Sequence, residues 1–252
     1  MRTPYTAQHI WQRDVQIPSG AAGLHGTLQI PENASGIVIF AHGSGSSRFS
    51  PRNQYVAGVI CDAGLGTLLF DLLTPEEETI DRQTRHLRFD IELLATRLVD
   101  AATWLTHIDE TRYLRVEYFG ASTGGGATLV AAARLAHVIG AVVSRGGRPD
   151  LAGAVLPHVV SPTLFIVGGR DTAVIHLNEA AYVQLRCQKA LEIVPGATHL
   201  FEEPGALEHV AQLAAGWFQQ HLHPCTHCTV TTASPYPYVD TEGEDHALSR
   251  SH

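Results

Sequence analysis

The strongest constraint on the fold is an alternation between short apolar runs and longer amphipathic segments. The runs are rich in β-branched and aromatic residues and are followed by Gly, Pro or polar residues, as buried strands are. Six runs fit this description: Gly36–Ala41, Gly66–Phe70, Arg115–Gly120, Ile139–Ser144, Thr163–Val167 and Ala190–Val194. Because buried strands that alternate with helices form parallel sheets covered on both faces, the pattern predicts an α/β fold with a mostly parallel sheet.

The segments between these runs are predicted helices. Residues 88–108 carry apolar side chains with the 3.6-residue period of an amphipathic helix. The other predicted helices are Tyr55–Ala63, Gly124–His137, Leu151–His158, Leu177–Arg186 and Ala206–Leu222, and an N-terminal antiparallel hairpin is expected from Arg13–Pro18 and Leu24–Pro31. Ligand sites in such sheets lie beyond the carboxyl ends of the strands, so functional residues are expected there.

A serine lies where the run Arg115–Gly120 passes into the next predicted helix. Residues 120–124 read G-x-S-x-G, with Ser122 at the centre. In a strand–turn–helix context this pattern forms a sharp turn that exposes the serine hydroxyl, and Gly120 and Gly124 avoid collisions with neighbouring backbone. Ser122 is therefore the candidate nucleophile. The alternative is a glycine-rich turn in which Ser122 only caps the helix.

A serine nucleophile needs a base and a group that orients the base. Asp171 follows the run Thr163–Val167, and His199 follows the next run. This gives the chain order Ser, Asp, His and places all three at one edge of the sheet. Asp150 is the alternative acid, and three other histidines also lie near strand ends: His42, His158 and His176. For His42, which precedes a glycine, a role in ordering its loop is expected.

Acyl transfer also needs two N–H donors for the oxyanion. One is expected to be the backbone N–H of Thr123, which follows the nucleophile. The other is expected from the small-residue loop 42–48, with Ser44 as the first candidate and Gly45 as the alternative. This loop lacks the lysine of a P-loop, which argues against nucleotide binding.

Arginines near the same strand ends could hold an anionic substrate group. Arg145, directly after a strand, is the first candidate, and Arg48 is the second. The alternative is that these arginines pair with nearby carboxylates and only stabilise loops.

Four segments together resemble the dienelactone-hydrolase-like branch of the α/β-hydrolase superfamily: His42–Ser46, Gly120–Gly124, Gly168–Asp171 and Gly196–Gly205. The resemblance covers the chain from the first strand to Leu222. It implies an α/β-hydrolase fold with an eight-stranded sheet, hydrolysis of carboxylic esters or lactones, and no cofactor. Dienelactone hydrolases proper use a cysteine nucleophile, so the serine at position 122 favours a general carboxylesterase. The short interval between residues 146 and 162 predicts that no large cap domain covers the site.

Composition and charge limit which classes of partner are expected. With a net charge of −8 and a pI near 6.0, the chain lacks the basic surface that nucleic acids or anionic membranes attract. The N-terminus lacks an apolar leader, and no run has the length of a membrane span, so a cytoplasmic protein is expected. A small-molecule ester is the expected partner. The oligomeric state stays open, with a homodimer as one possibility.

A domain boundary is predicted at Leu222. Residues 1–222 are expected to form the hydrolase domain, and residues 223–252 a loosely packed or disordered tail rich in Pro, Ser, Thr and acidic residues. Cys225 and Cys228 lie there among histidines, but without a second ligand pair no metal site is predicted.

The functional hypothesis is serine-dependent ester hydrolysis through an acyl-enzyme. Two alternatives remain open: an acyltransferase that uses the same three residues, and a non-catalytic ligand-binding module on this fold.

Overall fold

The computed structural model describes residues 10–222, and the predicted tail lies outside the described residues. Eight strands form one sheet: β1 (Ile10–Ser19), β2 (Ala22–Pro31), β3 (Gly36–Ala41), β4 (Gly66–Phe70), β5 (Arg115–Ala121), β6 (Ile139–Arg145), β7 (Thr163–Gly168) and β8 (Lys189–Val194). Their order across the sheet is β1-β2-β4-β3-β5-β6-β7-β8. β1 and β2 form the expected antiparallel hairpin, β2 pairs antiparallel with β4, and all pairs from β4 to β8 are parallel.

Helices cover both faces of this sheet. Within residues 10–222 they are α1 (Pro51–Asp62), α2 (Pro75–Thr84), α3 (Ile91–Leu105), α4 (Thr123–Arg134), α5 (Thr172–Gln184) and α6 (Ala206–His221). The central strands β3 to β7 are buried along their whole length, apart from the partly exposed first residue of β5, so their side chains fill one apolar core on each face. One core packs against α3, α4 and α5, and the other against α1 and α6. The predicted α/β architecture with a mostly parallel eight-stranded sheet is confirmed.

Helix α2 was not predicted from the sequence, because it is highly charged and only Asp81 in it is buried. Local capping explains why it forms. The Thr74 side chain accepts a hydrogen bond from Glu77 N, and the Glu77 carboxylate accepts one from Thr74 N. Pro75 occupies the first helical position. This capping box satisfies two backbone donors that helix formation would otherwise leave unpaired.

The interval between β6 and β7 holds one 3₁₀ segment, Pro149–His158, so the expectation that no large cap is inserted there is confirmed. A second 3₁₀ segment, Leu87–Phe89, joins α2 to α3. In the described part of the chain, no helix combines the length and apolarity that a bilayer crossing requires.

Candidate active site

Ser122 occupies the sharp turn between β5 and α4. Its backbone angles, φ 52° and ψ −120°, lie in the left-handed region that favours glycine. Holding a serine there costs about 1–3 kcal/mol, and such strain persists only when surrounding contacts fix it. Two hydrogen bonds do so: Ser122 N donates to Arg145 O at 3.2 Å, and Arg148 N donates to Ser122 O at 3.0 Å. The turn after β5 is thus anchored to the end of β6.

The glycines on either side of Ser122 allow this turn to pack closely. A Cβ on Gly120 would lie 2.6 Å from the Gly124 carbonyl oxygen and from Gly125 Cα. A Cβ on Gly124 would lie 2.7 Å from His42 O and closer still to the Ala41 carbonyl oxygen. Because all these neighbours are backbone atoms, neither position has room for a side chain.

His199 and Asp171 form a hydrogen-bonded pair at the same edge of the sheet. His199 Nδ1 lies 2.6 Å from Asp171 Oδ2, and the aspartate is the more enclosed of the two side chains. Asp171 is held just before α5 by its own N–H, which donates to Gly168 O at 2.9 Å. A carboxylate at Nδ1 fixes the tautomer that leaves Nε2 free to accept a proton.

The imidazole and the serine flank the same stretch of backbone at the end of β6. A Cβ on Gly146 would lie 3.4 Å from His199 Cε1, and the neighbouring Arg145 carbonyl accepts the hydrogen bond from Ser122 N. Within the described residues the Ser122 hydroxyl makes no hydrogen bond, to His199 or to any other group. In unliganded hydrolases this bond is commonly long and tightens when substrate binds.

The loop after β3 lies against the serine from the other side. A Cβ on Gly43 would be 3.2 Å from Ser122 Cβ and 3.9 Å from its Oγ. Ser46 N donates to Gly43 O at 3.1 Å, and Gly45 has a φ of 69°, so residues 43–46 form a tight turn. The N–H groups of Ser44 and Thr123 make no backbone hydrogen bond within residues 10–222, which leaves both available to an oxyanion.

His42 is part of the support for this loop. Its Nε2 accepts a hydrogen bond from Leu72 N at 3.1 Å, and its Nδ1 lies 2.9 Å from Gly43 O. Both bonds are satisfied only when Nδ1 carries the proton and the ring is neutral. Burial lowers the pKa of His42, which keeps the ring neutral, while the hydrogen bond to Gly43 and nearby carboxylates oppose the shift. This geometry matches the loop-ordering role expected from the sequence.

A hydrogen-bond network behind His42 was not predicted from the sequence, because it depends on α2. Buried Arg97 donates to Leu72 O and, at 2.5 Å, to Glu77 Oε1. The pKa of Glu77 is lowered because its bonds to Arg97 and Thr74 outweigh its burial. The chain of bonds from Glu77 through Arg97 and Leu72 to His42 links the start of α2 to the loop beside the serine. The capping pattern at Thr74 was the sequence signal that could have revealed it.

The candidate substrate-binding arginines and the alternative acid and base differ in whether they are already paired with other side chains. Arg48 forms an ion pair with Asp71, reinforced by a 2.8 Å bond from its N–H. Arg148 is bidentate to Asp150, which places the alternative acid outside the Asp171–His199 pair. Arg145 has no such carboxylate partner among residues 10–222. His176 is exposed and lies 3.3 Å from Glu179, and within residues 10–222 no three His, Cys, Asp or Glu side chains cluster as metal ligands do.

The sheet order, the strained serine after β5 and the His–Asp pair after β7 and β8 define an α/β-hydrolase fold. Solved structures agree. Est1E from Butyrivibrio proteoclasticus has a TM-score of 0.69 at 16% identity, covering 83% of this chain and 98% of its own. At that identity the likeness concerns the fold alone.

The chain belongs to the dienelactone hydrolase family, whose sequence profile matches residues 24–222. The crystal structure of a dienelactone hydrolase from Anabaena variabilis is 62% identical, with a TM-score of 0.84 over 85% of this chain and 99% of that chain. Two Mycobacterium tuberculosis proteins, from strains CDC 1551 and H37Rv, are 58% identical over 209 residues and are provisionally named phosphoribosyl transferases. The match spans 83% of this chain but only 46% of those relatives, so the chain spans about half their length.

Proposed function

We propose that this protein hydrolyses carboxylic esters, with lactones as the cyclic variant of the same substrate, through an acyl-enzyme on Ser122. The observation that carries the proposal is the His199–Asp171 pair beside a serine whose backbone is held in a strained turn. Family membership supports a hydrolase in general. The serine, rather than a cysteine, favours ordinary esters.

In the first step the Ser122 oxygen attacks the ester carbonyl, and His199 Nε2 takes the hydroxyl proton. Asp171 stabilises the resulting imidazolium through Nδ1 without taking the proton itself. The N–H groups of Ser44 and Thr123 donate to the oxyanion. Losing one such donor in comparable hydrolases costs about 10²–10³ in kcat.

Collapse of this intermediate breaks the bond to the leaving alcohol, which receives the proton from His199. Water then enters, loses a proton to His199 and attacks the acyl carbon. The second collapse releases the carboxylic acid and restores the Ser122 hydroxyl. Every proton taken up by His199 is returned, so the cycle needs no other reactant.

The name of the mycobacterial relatives concerns proteins about twice as long as the shared region. We propose that their shared region and this chain have the hydrolase chemistry in common, and that phosphoribosyl transfer belongs to the remainder of those proteins. A test for consumption of phosphoribosyl diphosphate by this chain should therefore be negative.

The direct test is turnover of short p-nitrophenyl esters by the wild type, Ser122→Ala and Ser35→Ala. Ser35 lies at the opposite edge of the sheet, before β3, and is the matched control. We expect sustained release of chromophore from the wild type and Ser35→Ala, and a loss of at least a thousandfold in Ser122→Ala. Equal turnover by Ser122→Ala would reject the proposal.

The same assay separates the two alternatives. An acyltransferase would give a transesterified product in preference to acid when an alcohol or amine is supplied. A ligand-binding module would bind the ester without repeated turnover, and Ser122→Ala would bind it equally well.

A further inference from the structure

Arg145 is a buried cation to which the described part of the chain supplies no counter-charge. The residue is 7% exposed, and its Nε and Nη1 atoms are fully enclosed with no hydrogen-bond partner among the described residues. Its guanidinium carbon lies 5.9 Å from the centre of the Phe201 ring. Within residues 10–222 no carboxylate lies within ion-pair distance of it, whereas Arg48 and Arg148 each have one.

An unpaired buried charge is costly, with a penalty of several kcal/mol per ion. Burial lowers the pKa of Arg145 to about 10, and the nearby Arg52 adds to the shift, so Arg145 is still charged at neutral pH. The Arg52 Nε atom is also buried and makes no hydrogen bond to a described residue, although Arg52 Nη1 contacts Glu202 at 3.2 Å. Arg52 is about one-third exposed, and Glu202, its carboxylate partner, is mostly exposed. Within residues 10–222 no salt bridge joins that carboxylate to Arg145.

Arg145 adjoins the candidate active site. The Arg145 carbonyl accepts the hydrogen bond from Ser122 N, and Phe201, which lies under the guanidinium, is two residues from His199. Of the three guanidinium nitrogens only Nη2 is not fully enclosed, and it too makes no hydrogen bond to a described residue. The two N–H donors of Nη2 are therefore unused within residues 10–222 and are not fully enclosed.

We propose that Arg145, supported by the charge of Arg52, binds a carboxylate or phosphate group of the substrate whose ester is cleaved at Ser122. The inference rests on the proposed function for the identity of the cleaved bond, but anion binding itself does not require catalysis. A bound anion would supply a counter-charge and accept hydrogen bonds from Nη2, the guanidinium nitrogen that is not fully enclosed.

Binding is tested without turnover in the Ser122→Ala protein. Succinate and inorganic phosphate are titrated at constant ionic strength, with NaCl as the salt control, and the thermal unfolding midpoint is followed. We expect Tm to rise by about 3–5 °C once one anion exceeds its Kd tenfold. The rise should disappear when Arg145→Gln is added and persist when Arg148→Gln is added instead. Which anion acts identifies carboxylate or phosphate as the recognised group.

Specificity is tested in the active enzyme with matched esters. One pair carries the charge on the acyl side, monophenyl glutarate against phenyl valerate, and the other on the alcohol side, 4-acetoxybenzoate against its methyl ester. We expect the ratio of kcat/KM values, charged over neutral, to fall at least tenfold in Arg145→Gln for one pair, and by less in Arg52→Gln. Arg148→Gln should keep the wild-type ratio.

The outcomes separate this inference from the proposed function. Active enzyme with no anion-dependent Tm shift and an unchanged ratio in Arg145→Gln rejects the anion site and leaves ester hydrolysis intact. A Tm shift that depends on Arg145 in a protein that cleaves no ester supports the anion site and rejects the hydrolase. If Arg145→Gln does not fold, Arg145→Lys and Arg52→Gln decide, and an unchanged ratio in both overturns the inference.

Discussion

Replacing Gly124 with alanine should damage both the fold and the proposed catalysis, although alanine is the better helix former. The new methyl carbon would lie 2.7 Å from His42 O and closer still to the Ala41 carbonyl oxygen. Real Cβ contacts essentially never fall below 3.0 Å, and neither neighbour is a flexible side chain. The start of α4 must therefore move away from the loop after β3 by roughly half an ångström or more.

The expected size follows from that displacement. Overpacking of this kind costs about 1–3 kcal/mol, which outweighs the gain of up to about 1 kcal/mol for Gly→Ala in a helix. The Tm should fall by about 2–8 °C for a domain of this size. The shift also separates Thr123 N–H from the loop that holds Ser44, so we expect kcat to fall by about 10²-fold or more.

Gly216→Ala is the matched control. Gly216 also lies in a helix, α6, and a Cβ there would meet nothing within 4 Å. That variant should gain about 0.5–1 kcal/mol with wild-type kinetics. The assays are thermal and urea unfolding, together with steady-state hydrolysis of a phenyl ester. Wild-type stability and kcat in Gly124→Ala would refute the close-packing argument.

Three further predictions concern single side chains. Burial raises the pKa of Glu117 well above its usual range, against the opposing effect of Arg115, so the folded state holds a proton that unfolding releases. The stability of the wild type should then decrease as pH rises above about 4.5. In thermal unfolding, Glu117→Gln should lose this pH dependence, so its Tm should rise relative to the wild type from pH 5 to 8. Parallel plots of Tm against pH for the two proteins would contradict this. Arg97→Lys should retain more kcat than Arg97→Gln, with KM changed less than kcat, because the arginine supports loop 42–48 through Leu72 and His42. Equal kinetics in both variants would exclude that role. Asp171→Asn should lower kcat by about 10⁴-fold with little loss of stability, because His199 is left in the wrong tautomer. A near-normal kcat would contradict a role for Asp171 in the mechanism.

The sheet and the chain order of the candidate residues could be predicted because both follow from local pattern. Apolar β-branched runs marked the strands, and parallel strands bring their carboxyl ends to one edge whatever their order across the sheet. For this reason the Asp171–His199 pair could be anticipated from residues 28 positions apart. Helix boundaries were less exact: α5 begins at Thr172, five residues before the predicted start.

The side-chain partners at that edge could not be predicted, because they depend on which strands are neighbours. Arg48 follows β3 and Asp71 follows β4, and only the sheet order places these strands side by side. Helix α2 was missed because apolar periodicity cannot detect a charged helix stabilised by its cap. The network through Arg97 was missed for the same reason. That no carboxylate of residues 10–222 pairs with Arg145 also becomes visible only in three dimensions.

The most direct test of the central claim is covalent labelling of the folded protein with a fluorophosphonate, followed by intact-mass measurement and peptide mapping. The account predicts one adduct per chain, located on Ser122, absent from Ser122→Ala and formed at least a hundredfold more slowly in His199→Gln. A well-folded wild type that stays unlabelled, or that carries the adduct on another residue, would contradict it.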